Sequence, residues 1–198
     1  MTRGALVLAA GLALAAPVCA DTGAAKEVVD SLVQELLTEV KANKTLYQKN
    51  DDALFQLIRR RILPAVDTAT LSRLVLGAHW KGLGDGQRRQ FTAAMESLLI
   101  RSYGKSLTLL TEVDRIRFRA PQKAGGGKYV LVASDVTFEA NEPPLSINYM
   151  MHDRNGRWQV FDLVIDGLSL VKQFRRSFDR EIREDGFDSL LRRLNAAS

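Results

Sequence analysis

Apolar residues recur at three- and four-residue spacing through Val28, Val29, Leu32, Val33, Leu36, Leu37 and Val40, which predicts an amphipathic helix near the start of the chain. Asp51 and Asp52 offer an N-cap for a second helix, with Leu54, Phe55, Ile58, Ile62 and Leu63 on one face until Pro64 interrupts it. Asp67 opens a short third helix carrying Leu71, Leu74 and Val75, which Gly77 closes in the manner of a C-cap. A loop at Gly82 to Gly86 follows, and Asp85 can cap the next element. The longest predicted helix runs from Gln87 to about Leu110 with the stripe Phe91, Met95, Leu98, Leu99, Tyr103, Leu107 and Leu110. Gly104 inside that stripe costs about 1 kcal/mol relative to alanine, so it predicts a close backbone approach or a bend.

The period then changes from helical to alternating. Val113 to Arg119 sets Arg115, Arg117 and Arg119 against Ile116 and Phe118. Ala120 to Gly127 reads as the flexible stretch, with the three glycines from Gly125 forming a hairpin turn. Tyr129 to Glu139 is a second strand with Val130, Val132, Val136 and Phe138 on one side. Leu145 to His152 follows the break at Pro143 and Pro144, and Trp158 to Ile165 follows the turn from Asp153 to Gly156. Two helices end the chain. One carries Leu168, Val171, Phe174, Phe178 and Ile182; the other, after Gly186, carries Phe187, Leu190, Leu191 and Leu194. Helices, consecutive antiparallel strands and helices again make an α+β order. The expected architecture is a curved antiparallel sheet of about four strands wrapped by N- and C-terminal helices.

The apolar run at the N-terminus changes this picture. Arg3 precedes Ala5 to Ala16, a run too short to span a bilayer, and small residues at Val18, Cys19 and Ala20 precede Asp21. Residues 1–20 are therefore read as a signal peptide cleaved after Ala20, leaving 21–198 as one exported domain. A lipoprotein signal acylated on Cys19 is the rival, but Ala16, Pro17 and Val18 match the lipid-attachment box poorly. With Cys19 removed, the expected mature chain has no cysteine, which excludes disulfides, thiolate metal sites and cysteine nucleophiles. The formal net charge of +5 loses only Arg3 and becomes +4. A basic exported protein meets anionic headgroups or acidic protein patches sooner than nucleic acid.

Candidate chemistry is sparse. His79 and His152 have no metal-ligating neighbour at helical or hairpin spacing and read as surface or cap residues. Ser169 resembles a nucleophile elbow only faintly, because Val171 stands where the motif needs glycine; it reads as a helix N-cap. Asp162 and Asp166 could pass for paired carboxylates, but carboxylates at a strand exit beside a helix start are more often partners of the helix dipole. No catalytic residue, metal site or cofactor is expected, and the chain does not read as an enzyme. The arginine clusters at 59–61, 88–89, 175–176 and 192–193 lie on polar helix faces without interleaved aromatics, which argues against a nucleic-acid partner. What remains is apolar surface: both faces of the strands at 129–138 and 145–151 carry large side chains. Either helices cover the sheet on both sides, or an apolar cavity is present.

Particular residues carry a resemblance. Leu63 and Pro64, Leu76 and Gly77, Trp80 and Lys81, Arg88 and Phe91, Tyr103 and Gly104 follow one another in an order that resembles the MlaC (toluene-tolerance) family. The turn at Gly167 and Ser169 and the run from Asp185 to Asp188 complete it. Gly84 to Gly86 departs from that family's proline-led helix start. The resemblance implies an internal apolar cavity and a soluble, monomeric periplasmic carrier of glycerophospholipid. It implies transient docking to an inner-membrane ABC transporter with its substrate-binding ring, and to an outer-membrane lipoprotein–porin complex, in the maintenance of outer-membrane lipid asymmetry. The phospholipid would be cargo rather than cofactor. A hopanoid or other hydrophobic cargo, or an adaptor with a packed core, are the alternatives. Burying a methylene gains roughly 0.8 kcal/mol, so two tails of about thirty methylenes gain on the order of 24 kcal/mol over water. A membrane gives the lipid about as much, so transfer can be nearly balanced and proceed without catalysis.

On that reading the helical wall of the pocket comprises Val75, Leu76, Met95, Leu99, Tyr103 and Leu107. Tyr149, Met151, Phe161, Leu163 and Ile165 form the sheet wall, each set sharing strand parity. Val171 and Phe174 form a lid.

Overall fold

The structure is a computed structural model that describes residues 22–139 and 141–196. The export-signal reading falls on residues 1–20 and lies outside the described residues. Helix α1 (Thr22–Ala42) is the predicted first helix, followed by a short α2 (Lys44–Lys49). Helix α3 (Asp51–Leu57) is capped by Asn50 rather than by the aspartates after it: the Asn50 side chain accepts from the Ala53 N–H at 3.0 Å. That helix loosens into a π-helical turn at Ile58–Ile62 and a 3₁₀ turn at Leu63–Ala65, where Pro64 removes a donor. Asp67 caps α4 (Thr68–Leu76) as expected, accepting from the Thr70 N–H at 2.8 Å. A 3₁₀ segment (Gly77–Gly82) leads to α5 (Asp85–Tyr103). Here Asp85 is the first helical residue and Gly84 the cap position, with the Gln87 side chain accepting from the Gly84 N–H.

The long helix ends earlier than its stripe suggests. At Gly104 it tightens to 3₁₀ geometry, which continues through Glu112. Gly104 is also a point of close approach: a Cβ there would stand 2.9 Å from Ile58 Cδ1 and 3.0 Å from Phe55 Cε1. A larger residue would have to displace those side chains of α3 and its π turn.

One antiparallel sheet follows. Its strands are β1 (Arg115–Phe118), β2 (Gln122–Ala124), β3 (Tyr129–Thr137), β4 (Leu145–Arg154), β5 (Arg157–Ile165) and β6 (Leu168–Ser169). Their order is β1-β3-β4-β5-β6, and β2 also pairs with β3. The four expected strands are therefore present, and the sheet gains two short ones. One of these, β2, falls inside the stretch read as flexible. Asn155 and Gly156 both have positive φ, as a two-residue hairpin turn between β4 and β5 requires. Asp166 and Gly167 make a second such turn into β6. The chain closes with α6 (Leu170–Asp185) and α7 (Phe187–Ala196).

Three separate cores hold these elements together. The stripes of α4, α5, α6 and α7 meet around Phe91, whose ring stands edge-on to Phe178 at 6.1 Å. Ala25 and Val29 of α1 pack on Val130, Val132, Met151 and Val160 of the sheet. Leu36 and Val40, farther along α1, pack with Tyr47, Leu54 and Leu57. The space between these cores is not filled.

Candidate functional site: an apolar cavity where three cores meet

That space is a cavity of about 500 Å³, within the range of small-molecule sites. Val28, Val29, Leu32, Val33 and Leu36 of α1 form one wall. Leu107, Leu109 and Leu110 of the 3₁₀ segment adjoin it, together with Leu99 and Tyr103 from the end of α5. The sheet supplies Ile116, Val136, Phe138, Leu145, Ile147, Tyr149, Val160, Leu163 and Ile165. Ile62, Ala65, Val66, Leu71 and Leu170 line the helical side, and Ser106, Val113, Phe161 and Asp162 also border the space. Val28 (37 % exposed), Tyr103 (39 %) and Leu109 (48 %) belong both to the lining and to the outer surface, so the cavity opens among them.

Seven of the thirteen expected pocket residues border this space: Leu99, Tyr103, Leu107, Tyr149, Phe161, Leu163 and Ile165. Six do not. Val75, Leu76, Met95 and Val171 are buried in the helical core around Phe91, and Phe174 packs against it. Along α5, the stripe from Phe91 to Met95 faces α4, α6 and α7. One turn later, Leu99 is only partly buried against that core and also borders the cavity. Leu170 borders the cavity while its neighbour Val171 turns into the core.

Met151 is the sixth: it shares the face of Tyr149 on β4 but lies farther along the strand, where a β-bulge shifts the register of β5. Tyr149 pairs with Leu163, but past the irregularity at Met150 and Met151 the register slips and Met151 pairs with Val160. Strand parity across β4 and β5 therefore does not carry through. Met151 joins the packed row under Ala25 and Val29, and the Phe161 ring packs against Tyr129 at 5.0 Å and His152 at 5.1 Å.

The α1 wall was missed at the level of sequence, although a signal existed. Its apolar residues span a wider arc than one core stripe needs: Val29, Leu36 and Val40 are buried, while Val28 and Leu32 are left on the flank.

Polar groups near the cavity are few and mostly engaged. Asp162 accepts from the Ser169 hydroxyl and from the Val171 N–H at 3.0 Å, so it joins β5 to the start of α6. Ser169 in turn accepts from the Lys172 N–H at 3.1 Å and is the N-cap. The histidines serve other acids: His79 bonds Asp179 at 2.8 Å and His152 bonds Asp67 at 2.9 Å. Burial alone would raise the Asp67 carboxyl. Two hydrogen bonds from Thr70, the Arg154 guanidinium and His152 outweigh that and hold it below the usual carboxylate range. The Tyr149 phenol is pushed up by burial. Among the described residues no cluster of three or more His, Cys, Asp or Glu could hold a metal ion, and no helix is long and apolar enough to cross a membrane.

Comparison with known proteins gives the cavity its context. The chain is 28 % identical over 193 residues to the toluene tolerance protein ttg2D of Pseudomonas putida, covering 95 % of this chain and 85 % of that one. It is 18 % identical over 173 residues to the intermembrane phospholipid transport system binding protein MlaC of Haemophilus influenzae, covering 86 % and 80 %. The fold matches the phospholipid-binding protein of Ralstonia solanacearum, solved in complex with a phospholipid, with a TM-score of 0.76 and 25 % identity. That match covers 87 % of this chain and 97 % of the other. The MlaC protein family model matches residues 30–196, nearly all of the helices, sheet and cavity described above, and the chain belongs to that family.

Proposed function

We propose that this protein is an exported, non-enzymatic carrier that holds a glycerophospholipid with its acyl tails in the apolar cavity and its headgroup toward solvent. On this reading residues 1–20 direct export and are removed after Ala20, and 21–198 work as one monomeric domain in the periplasm. The carrier docks transiently with an inner-membrane ABC transporter and its substrate-binding ring, and with an outer-membrane lipoprotein–porin complex.

The observation that carries the reading is the cavity itself. Each Å² of apolar wall that an apolar occupant covers is worth about 25 cal/mol, so a space of about 500 Å³ lined by aliphatic side chains favours a hydrocarbon occupant over water. Val, Leu and Ile predominate in its lining, which suits hydrocarbon. The phospholipid bound in the Ralstonia solanacearum relative supplies the chemical class.

Native mass spectrometry of the mature protein from its membrane-containing host, followed by lipid extraction, tests this. Bound mass equal to one or more diacyl phospholipids is expected. A hopanoid in the extract would replace the cargo, and an apo protein that refuses added phospholipid would leave a non-lipid adaptor.

A further inference from the structure

One buried hydroxyl of the sheet wall has no hydrogen-bond partner in the fold. Ser134 lies on β3 between Val132 and Val136 and shares their face, the face that packs on α1 and borders the cavity. Its side chain is fully buried, and its hydroxyl has no hydrogen-bond partner. An unsatisfied buried hydroxyl is costly, and alanine would remove that cost at the same position. The neighbouring strand places Tyr149 beside it. The Tyr149 ring borders the cavity, packs at 6.4 Å from Phe118 and keeps partial exposure. Ser134 and Tyr149 interact, since the serine eases the upward shift that burial imposes on the phenol. They nevertheless stop short of a hydrogen bond.

We propose that Tyr149 is a specificity-determining residue that donates its hydroxyl hydrogen bond to an ester carbonyl of the cargo, with Ser134 behind it donating to the Tyr149 oxygen. The proposal rests on the phospholipid reading. A diacyl glycerophospholipid brings two ester carbonyls, which accept hydrogen bonds and donate none. A Tyr donor completes one of them, and the Ser134 donor then completes the chain. Of the other polar lining residues, Asp162 is engaged as an acceptor by Ser169 and Val171, and Ser106 lies on the 3₁₀ segment across from the sheet. The aliphatic remainder is indifferent to ester or ether linkage, so the Tyr149–Ser134 pair is assigned the discrimination.

The test offers delipidated protein an equimolar mixture of diester and diether phosphatidylglycerol with matched chains, and reads the bound ratio by native mass spectrometry. The wild-type protein should favour the diester on the order of fivefold, the worth of one ordinary hydrogen bond. Tyr149→Phe should bring the ratio close to one by losing diester alone. Ser134→Ala should lower it part of the way, with far-ultraviolet circular dichroism unchanged in both variants. A wild-type ratio of one, or a preference that survives Tyr149→Phe, would overturn the proposal while leaving the carrier reading intact. Failure of both lipids to bind would overturn the two together.

Discussion

At the scale of single residues, Asp67 is where charge and fold are most closely joined. It caps α4 through Thr70 and meets His152 and Arg154, so one carboxylate ties α4 to the far end of β4. Its folded pKa lies below the value of about 3.9 for an unfolded aspartate. The stabilisation is therefore full above that value and is lost as pH falls through the folded pKa. Asparagine is as good an N-cap, so Asp67→Asn removes the charge and keeps the cap. The variant should melt lower than wild type at pH 7, and the gap should shrink progressively below about pH 4. Thermal melts across that range would measure it; a constant gap down to acid pH would mean that the charge contributes nothing. Two serines illustrate how far local signals reach. Ser169 as a cap was legible from its position before an amphipathic run. The isolation of Ser134 was not, because an alternating strand does not say what lies opposite each side chain.

At the scale of elements, the apolar stripe that begins in α5 and runs on into the 3₁₀ segment does two different jobs. Met95, fully buried among α4, α6 and α7, is ordinary core; Leu107, beyond the tightening at Gly104, borders the cavity. Met95→Ala should cost about 2–5 kcal/mol of stability and leave lipid stoichiometry unchanged. Leu107→Trp should do the reverse, lowering lipid occupancy with the fold intact. Urea unfolding and lipid extraction on the same two variants would separate the roles, and an unchanged stoichiometry in Leu107→Trp would count against that wall. Periodicity predicted a continuous helix through both residues because their side chains keep helical spacing. The shift to 3₁₀ geometry falls at Gly104, where Phe55 and Ile58, about fifty residues earlier in the chain, come close. The β4–β5 bulge is of the same kind: nothing in an alternating pattern marks where the partner strand slips.

At the scale of the whole molecule, the proposed carrier function couples stability to cargo. Ligand bound to the folded state alone stabilises by RT ln(1 + [L]/Kd), about 4 kcal/mol at a thousandfold excess over Kd. For a chain of this size that corresponds to a shift of roughly ten degrees in melting temperature. Scanning calorimetry should therefore find the delipidated protein melting well below the loaded one, with added phospholipid restoring the difference. Equal melting temperatures would mean that the cavity is not the lipid's place.

The sequence by itself determined the kinds of element and their order, because helical and alternating periods, caps such as Asp67 and turns such as Asn155–Gly156 are local properties of the chain. It also carried the family, through the order of landmarks from Leu63 to Asp188. Tertiary structure alone decided which apolar faces became core and which became cavity. Val75, Met95 and Met151 share their apolar character with Leu99, Tyr149 and Leu163. A pattern of apolar residues states that a face must leave water; whether it meets a neighbouring helix or an open space depends on where the three cores stop short of one another.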